Sequence, residues 1–346
     1  MNIPGKTLLY KLKKKVEESL ESRGVILMYH RVADVRSDPW QLTVSVKNFE
    51  EQMKVLQKVG NVMKLQDMGK AIAKGKQLKK AVAVTFDDGY ADNYLYAEPI
   101  LGKYKIPATI FVSSSFLGKD TEYWWDDLDR IFLQPGILPE QLFITINNKE
   151  HKWDLNGASN YTEEESIKYR TWLNWEESPT VRHRLYHEMW HLLVNETDEE
   201  KRRVLNELNT WAHLDPEGRP DNKPLSLEQL RQIIKGGIID IGGHTVSHPR
   251  LSSKSLEVQK QEILQGKIFL EDVLGKPIET FSYPFGDYTK DTLPLVKESG
   301  FSCACTTVSD FVRKEAAIYE LPRFEVIDWD GATFERKLHK WLYRIK

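Results

Sequence analysis

The stretch Ala81-Val82-Ala83-Val84-Thr85-Phe86-Asp87-Asp88-Gly89-Tyr90 is apolar and rich in β-branched residues as far as Phe86, then ends abruptly in two adjacent carboxylates. A short uninterrupted run of this kind, preceded by Lys79-Lys80 and closed by a glycine, reads as a strand buried on both faces of a parallel sheet. Such a strand commits the chain to an α/β fold, in which functional residues gather at strand ends.

Adjacent carboxylates repel and raise each other's pKa unless a cation sits beside at least one of them. Asp87 and Asp88 therefore call for a metal ion or an arginine nearby. A second apolar run, Ile238-Ile239-Asp240-Ile241, leads into Gly242-Gly243-His244-Thr245-Val246-Ser247-His248-Pro249. The i, i+4 spacing of His244 and His248 predicts both imidazoles on one side of a single helical turn. One carboxylate with two histidines leaves coordination positions for water and substrate, as a catalytic divalent site requires.

Three motifs in order, Thr85-Phe86-Asp87-Asp88-Gly89, His244-Thr-Val-Ser-His248-Pro249 and Ser282-Tyr283-Pro284-Phe285-Gly286, resemble the first three motifs of the polysaccharide deacetylases, the NodB-homology group of carbohydrate esterase family 4. The resemblance covers about residues 24–115 and 226–330. It implies a distorted (β/α) barrel with its site at the carboxyl ends of the strands. It also implies Asp88, His244 and His248 as metal ligands and Asp87 as the base acting on a metal-activated water. The ion it implies is zinc, with cobalt or nickel as alternatives. A backbone N–H near Phe285 is implied as a donor to the oxyanion.

The chain departs from the family pattern twice. Ser282 stands where the third motif usually has an arginine that orients the base. Leu321-Pro322-Arg323 stands where the last motif usually reads Leu-x-His and supplies the general acid. Arg323 is expected to reach across and orient Asp87, because its fork suits a carboxylate. His30, at the end of the apolar run Gly24–Tyr29, is then the candidate acid. Tyr283, Pro284, Phe285, Tyr90 and Trp125 are expected to line the substrate groove.

Strand and helix patterns alternate through residues 24–115 and again through 226–346, giving about seven strands. Val62-Met63-Lys64-Leu65 reads as one short strand. Residues 116–225 break the rhythm and are expected to form a mostly helical insertion, with a hairpin about Asn147-Asn148. Seven of the ten tryptophans, 124, 125, 153, 172, 175, 190 and 211, lie in it, which suits either a sugar-binding wall or a small core. The insertion also holds a rival metal motif, His187-Glu188-Met189-Trp190-His191, with His183 one turn earlier and Glu207 as a possible third ligand. No strand precedes it to supply a buried pocket, so a packed or solvated helix face is the expectation.

A formal net charge of −2 gives no pull toward nucleic acid. No window is apolar enough for a membrane span, and residues 1–23 read as a basic helix capable of peripheral membrane contact. The expected location is the cytoplasm; a solvated helix packed on the domain is the first reading of that segment, and membrane association through it is the alternative. Cys303 and Cys305 are expected to be small buried residues, since pairing two cysteines so close along one strand is geometrically poor. The function these readings support is a metal-dependent hydrolase removing acetyl groups from N-acetylated sugars of a glycan or glycan precursor. An O-acetyl sugar esterase and a non-catalytic carbohydrate-binding protein are the alternatives.

Overall fold

Residue parity along the strands sorts side chains between two cores, and this sorting places the chemistry. The computed structural model describes residues 23–215 and 217–343; the basic helix expected over residues 1–23 lies outside the described residues but for Arg23. Six parallel strands form the frame: β1 (Arg23–Tyr29), β2 (Ala81–Phe86), β3 (Ala108–Val112), β4 (Ile239–Gly243), β5 (Thr280–Ser282) and β6 (Cys303–Cys305). They pair in the order β6-β5-β4-β3-β2-β1. Two short strands flank β1: β7 (Val312–Arg313), antiparallel to its start, and β8 (Phe324–Glu325), parallel to its end. Residues 318–326 lace the gap between β6 and β1, because the Ala304 N–H donates to Ile318 O at 3.0 Å, the Leu321 N–H donates to Ala304 O at 2.9 Å, and the Val326 N–H donates to Met28 O at 3.0 Å. The result is a distorted barrel with helices outside it.

Along β2 every side chain is buried. Val82, Val84 and Phe86 join Val25, Leu27, Ile110 and the apolar stripe Phe49, Met53 and Leu56 of helix Val46–Val59. Ala81 and Ala83 face the other way, into a smaller cluster with Ile26, Phe111, Cys303, Cys305 and Leu321. Thr85 and Asp87 continue this second parity, so the Asp87 carboxylate emerges inside the barrel. A Cβ at Gly242 would collide with the Phe111 ring, which explains the glycine at that point of β4. Both thiols are buried and free, and burial pushes the Cys305 thiol up to about 12.

The expected strand at Val62–Leu65 reduces to one bridge between Val62 and Val82, after which helix Leu65–Ala73 begins. The insertion holds helices Trp124–Phe132, Glu163–Tyr169, Val181–Leu193 and Asp198–Ala212. It also contains the hairpin Gln141–Ile146 and Lys149–Asp154, turned at Asn147 and Asn148, both with positive φ. Its side chains form a core of their own that takes in Trp124, Trp172 and Trp190. Among the described residues no helix is long and apolar enough to cross a membrane.

Candidate metal and catalytic centre

Strand register brings the tips together. β1 and β2 pair through Tyr29 and Phe86, so the next residues, His30 and Asp87, leave neighbouring strand ends. The Asp87 N–H donates to Tyr29 O at 2.9 Å, and the His244 N–H donates to Val112 O at 3.1 Å. Asp88 turns away from its neighbour through a left-handed backbone (φ 72), with its carbonyl held by the Tyr123 hydroxyl at 2.7 Å.

The stretch from His244 to His248 is not the helical turn expected from its spacing. Thr245 and His248 both have positive φ, and the stretch is an irregular loop closed by a bond from the His248 N–H to Thr245 Oγ1 at 3.1 Å. Glu262, from helix Leu256–Leu274, accepts from the N–H groups of Val246 and Ser247 at 2.9 and 2.8 Å and fixes the loop.

Three ligand atoms converge in this loop and the Asp88 tip. Asp88 Oδ1 lies 3.4 Å from His244 Nε2 and 3.2 Å from His248 Nε2, and the three lie within 4.8 Å of one another. Tetrahedral zinc with bonds of about 2.0–2.2 Å separates its ligand atoms by about 3.4 Å, so the spacing fits an ion of that kind. The donor set fits as well. His244 Nδ1 lies 2.7 Å from the Ser282 carbonyl, the partner that fixes a metal-ligating imidazole with its Nε2 lone pair inward. Burial lowers the His248 pKa, favouring the neutral ring, and Asp88, though buried, is held well below the carboxylate range by the two histidines.

Asp87 meets Arg323 in a two-pronged ion pair. Nη1 donates to Oδ1 at 2.7 Å and Nη2 to Oδ2 at 2.6 Å. Burial alone would raise the Asp87 pKa; the guanidinium outweighs it and the pKa falls below its ordinary value. Ser282, in the place of the family's arginine, accepts from Arg323 Nη2 at 2.9 Å. Arg323, just before β8, thus stands beside Asp87 in the place that Ser282 leaves open.

The centre lies on a cavity of about 470 Å³ lined by His30, Asp87, Asp88, His244 and His248. Trp40, Trp125, Trp175, Trp190 and Phe285 line it too, with Arg250, Thr307 and Glu325. Trp125 and Phe285 pack against the His248 ring at 5.1 and 4.6 Å between centroids. Phe285 is turned into the cavity by a left-handed backbone (φ 57).

Tyr90, Tyr283 and Pro284 are not groove walls. Tyr283 follows Phe281 by two residues and shares its outward parity, so it is fully buried against the helices, donating to Tyr319 O at 3.0 Å. Pro284 is buried beside it. Tyr90 is fully buried behind Trp125, accepting from its Nε1 and donating to Asp126, both at 2.7 Å. Trp175 and Trp190, two of the insertion's seven tryptophans, reach the cavity, whereas Trp40 and Arg250 are lining residues that no sequence motif marks.

The rival motif does not assemble. His187 Nδ1 lies 3.0 Å from the Asn174 carbonyl, Glu188 accepts from Trp153 Nε1 at 2.6 Å, and Glu207 pairs with Arg203 at 2.9 Å. His183 is buried with its ring edge-on to Trp172. Among the described residues only Asp88, His244 and His248 form a cluster able to hold a metal.

Comparisons with known proteins agree with this geometry. A family model described as "Polysaccharide deacetylase" matches residues 74–138 and 194–304, about half of the chain. YxkH of Bacillus subtilis (strain 168), whose name also refers to that family, is 23% identical over 87% of this chain and 70% of its own length. The poly-beta-1,6-N-acetyl-D-glucosamine N-deacetylase of Staphylococcus aureus (strain MRSA252) is 32% identical over 37% of this chain, which spans only 44% of that relative. Among solved structures, the Streptococcus pyogenes deacetylase PplD in complex with acetate superposes with a TM-score of 0.55 at 18% identity, covering 91% of this chain and 98% of PplD; at that identity the likeness shows the fold. The chain belongs to the polysaccharide deacetylases, a family of hydrolases.

Proposed function

We propose that the chain is a metal-dependent N-deacetylase acting on an N-acetylated sugar of a glycan or glycan precursor. The observation that carries this reading is the pairing of Asp87 with Arg323 beside the convergent Asp88, His244 and His248, on the floor of an aromatic-walled cavity. A divalent ion held by those three residues, with zinc the first choice and cobalt or nickel the alternatives, would supply a Lewis acid that acidifies water and polarises the acetamide carbonyl.

The chain's own residues do the rest. Asp87, kept ionised by Arg323, takes the proton of the attacking water. A backbone N–H near Phe285 stabilises the oxyanion of the tetrahedral intermediate. His30, on the same cavity, donates a proton to the leaving nitrogen, so that acetate and a sugar amine are released. Trp125 and Phe285 orient the sugar ring over the centre.

The reading is tested by acetate release from N-acetylglucosamine oligomers with wild type, Asp87→Asn and His30→Ala, each supplied with zinc. Wild type releases acetate, and both variants bind zinc but lose turnover. Release only from O-acetylated sugars would make the chain an esterase. Zinc binding with no release from any donor would favour a carbohydrate-binding protein, and full activity of His30→Ala would remove His30 from the mechanism.

A further inference from the structure

Four arginines, Arg31, Arg130, Arg219 and Arg323, are each bonded to carboxylates. Arg250 is different. It follows His248-Pro249 directly and lines the cavity of the metal centre. Its side chain has no carboxylate within ion-pair distance among the described residues. Its Nε is buried and donates to no protein acceptor.

Two aromatic rings hold the guanidinium instead. Its carbon lies 5.3 Å from the Phe285 ring centroid and 5.9 Å from that of Trp190. Aromatic faces attract a cation without using its in-plane N–H donors, so a guanidinium held this way keeps its fork free for an anion. Glu325, another charged group on the lining, is not paired with it. The proline and the two rings fix Arg250 relative to His248, whose own ring packs on Phe285.

We propose that Arg250 is a specificity residue that binds an anionic substituent, a carboxylate or a phosphate, on the glycan whose acetamide meets Asp87. This rests on the deacetylase reading for its substrate class. It makes an acidic N-acetylated glycan or a phosphorylated precursor the preferred substrate over a neutral polymer. It also disfavours a neighbouring sugar that already carries an ammonium group after deacetylation.

The test measures dissociation constants by calorimetry in zinc-loaded Asp87→Asn protein, which removes turnover. The probes are a neutral N-acetylglucosamine tetramer, a hyaluronan tetrasaccharide bearing glucuronates, and N-acetylglucosamine-1-phosphate set against N-acetylglucosamine itself. At low salt at least one anionic probe should bind about tenfold tighter than its neutral counterpart, with the gap narrowing as salt is raised. Arg250→Gln should close the gap and Arg250→Lys should restore part of it; the probe that shows the gap identifies carboxylate or phosphate. Equal affinities, no measurable binding of either anionic probe, or an equal loss on every probe in Arg250→Gln would overturn the proposal. Acetate release by the wild type is scored separately. A gap without release would sink the deacetylase reading alone, and release without a gap would sink the anion subsite alone.

Discussion

Arg323 carries five N–H donors, and each finds an acceptor: both oxygens of Asp87, Thr85 Oγ1 at 3.1 Å, Ser282 Oγ at 2.9 Å and the Thr306 carbonyl at 2.9 Å. A fully satisfied, fully buried arginine has one arrangement open to it, and it holds the Asp87 carboxylate in one orientation. Removing it leaves Asp87 buried and uncompensated. Arg323→Gln should therefore lose about 3–5 kcal/mol in denaturant unfolding. With burial unopposed, the Asp87 pKa should rise, moving the acid limb of the activity profile to higher pH; a variant with unchanged stability and an unchanged acid limb would contradict this. The pair was legible in the sequence because the missing arginine at Ser282 and the unexpected one at Arg323 suggested a single exchange. Tyr283 was misplaced although parity held the answer: if Ser282 faces the site, its neighbour faces the helices. Trp40 and Arg250 were not legible, because no motif marks them and only the folded chain brings them to the cavity.

At the scale of elements, the loop from His244 to Arg250 has no regular hydrogen bonding of its own and borrows its order from helix Leu256–Leu274. Glu262 takes both N–H groups and the Ser247 hydroxyl, the last at 2.7 Å. The helix also approaches the loop backbone so closely that a Cβ at Gly266 would sit 2.7 Å from the Thr245 carbonyl. Glu262 touches neither histidine, yet it orders the backbone between them. Glu262→Ala should weaken zinc binding by about 10–100-fold in competition with a chelating dye, as loss of an outer-shell partner does. Unchanged affinity would mean that the loop orders itself. The strands and helices around this loop were readable from periodicity, whereas its irregular backbone was not, since i, i+4 spacing describes a helix and this loop reaches the same convergence with two left-handed residues.

For the whole molecule, a buried arginine ties the barrel to the insertion at their seam. Arg31 of the barrel bonds Asp92 at 2.9 Å, approaches Asp126 of the insertion at 3.7 Å and donates to Asn222 Oδ1 at 3.0 Å, while within the insertion Arg219 bridges Glu122 and Asp129, both at 2.7 Å. Burial pushes the Asp126 carboxyl up to about 7 despite both arginines. A carboxyl raised in the folded state favours folding at low pH and loses that contribution as pH rises from its ordinary value of about 4 through about 7. Wild type should therefore lose more melting temperature between pH 5 and pH 8 than Asp126→Asn, and parallel profiles would show that Asp126 ionises normally (pH values about those of the two limits). The same seam presents Trp125 to the centre through Tyr90 and Asp126, so the insertion helps shape the cavity as well as covering it. The measurement that tests the central claim most directly is acetate release by metal-stripped protein titrated with zinc. The account predicts no release without metal, activity that rises to a plateau at one ion per chain, and no activity in Asp88→Ala at the same zinc concentration. Release that persists undiminished in the stripped protein, or in Asp88→Ala, would contradict it.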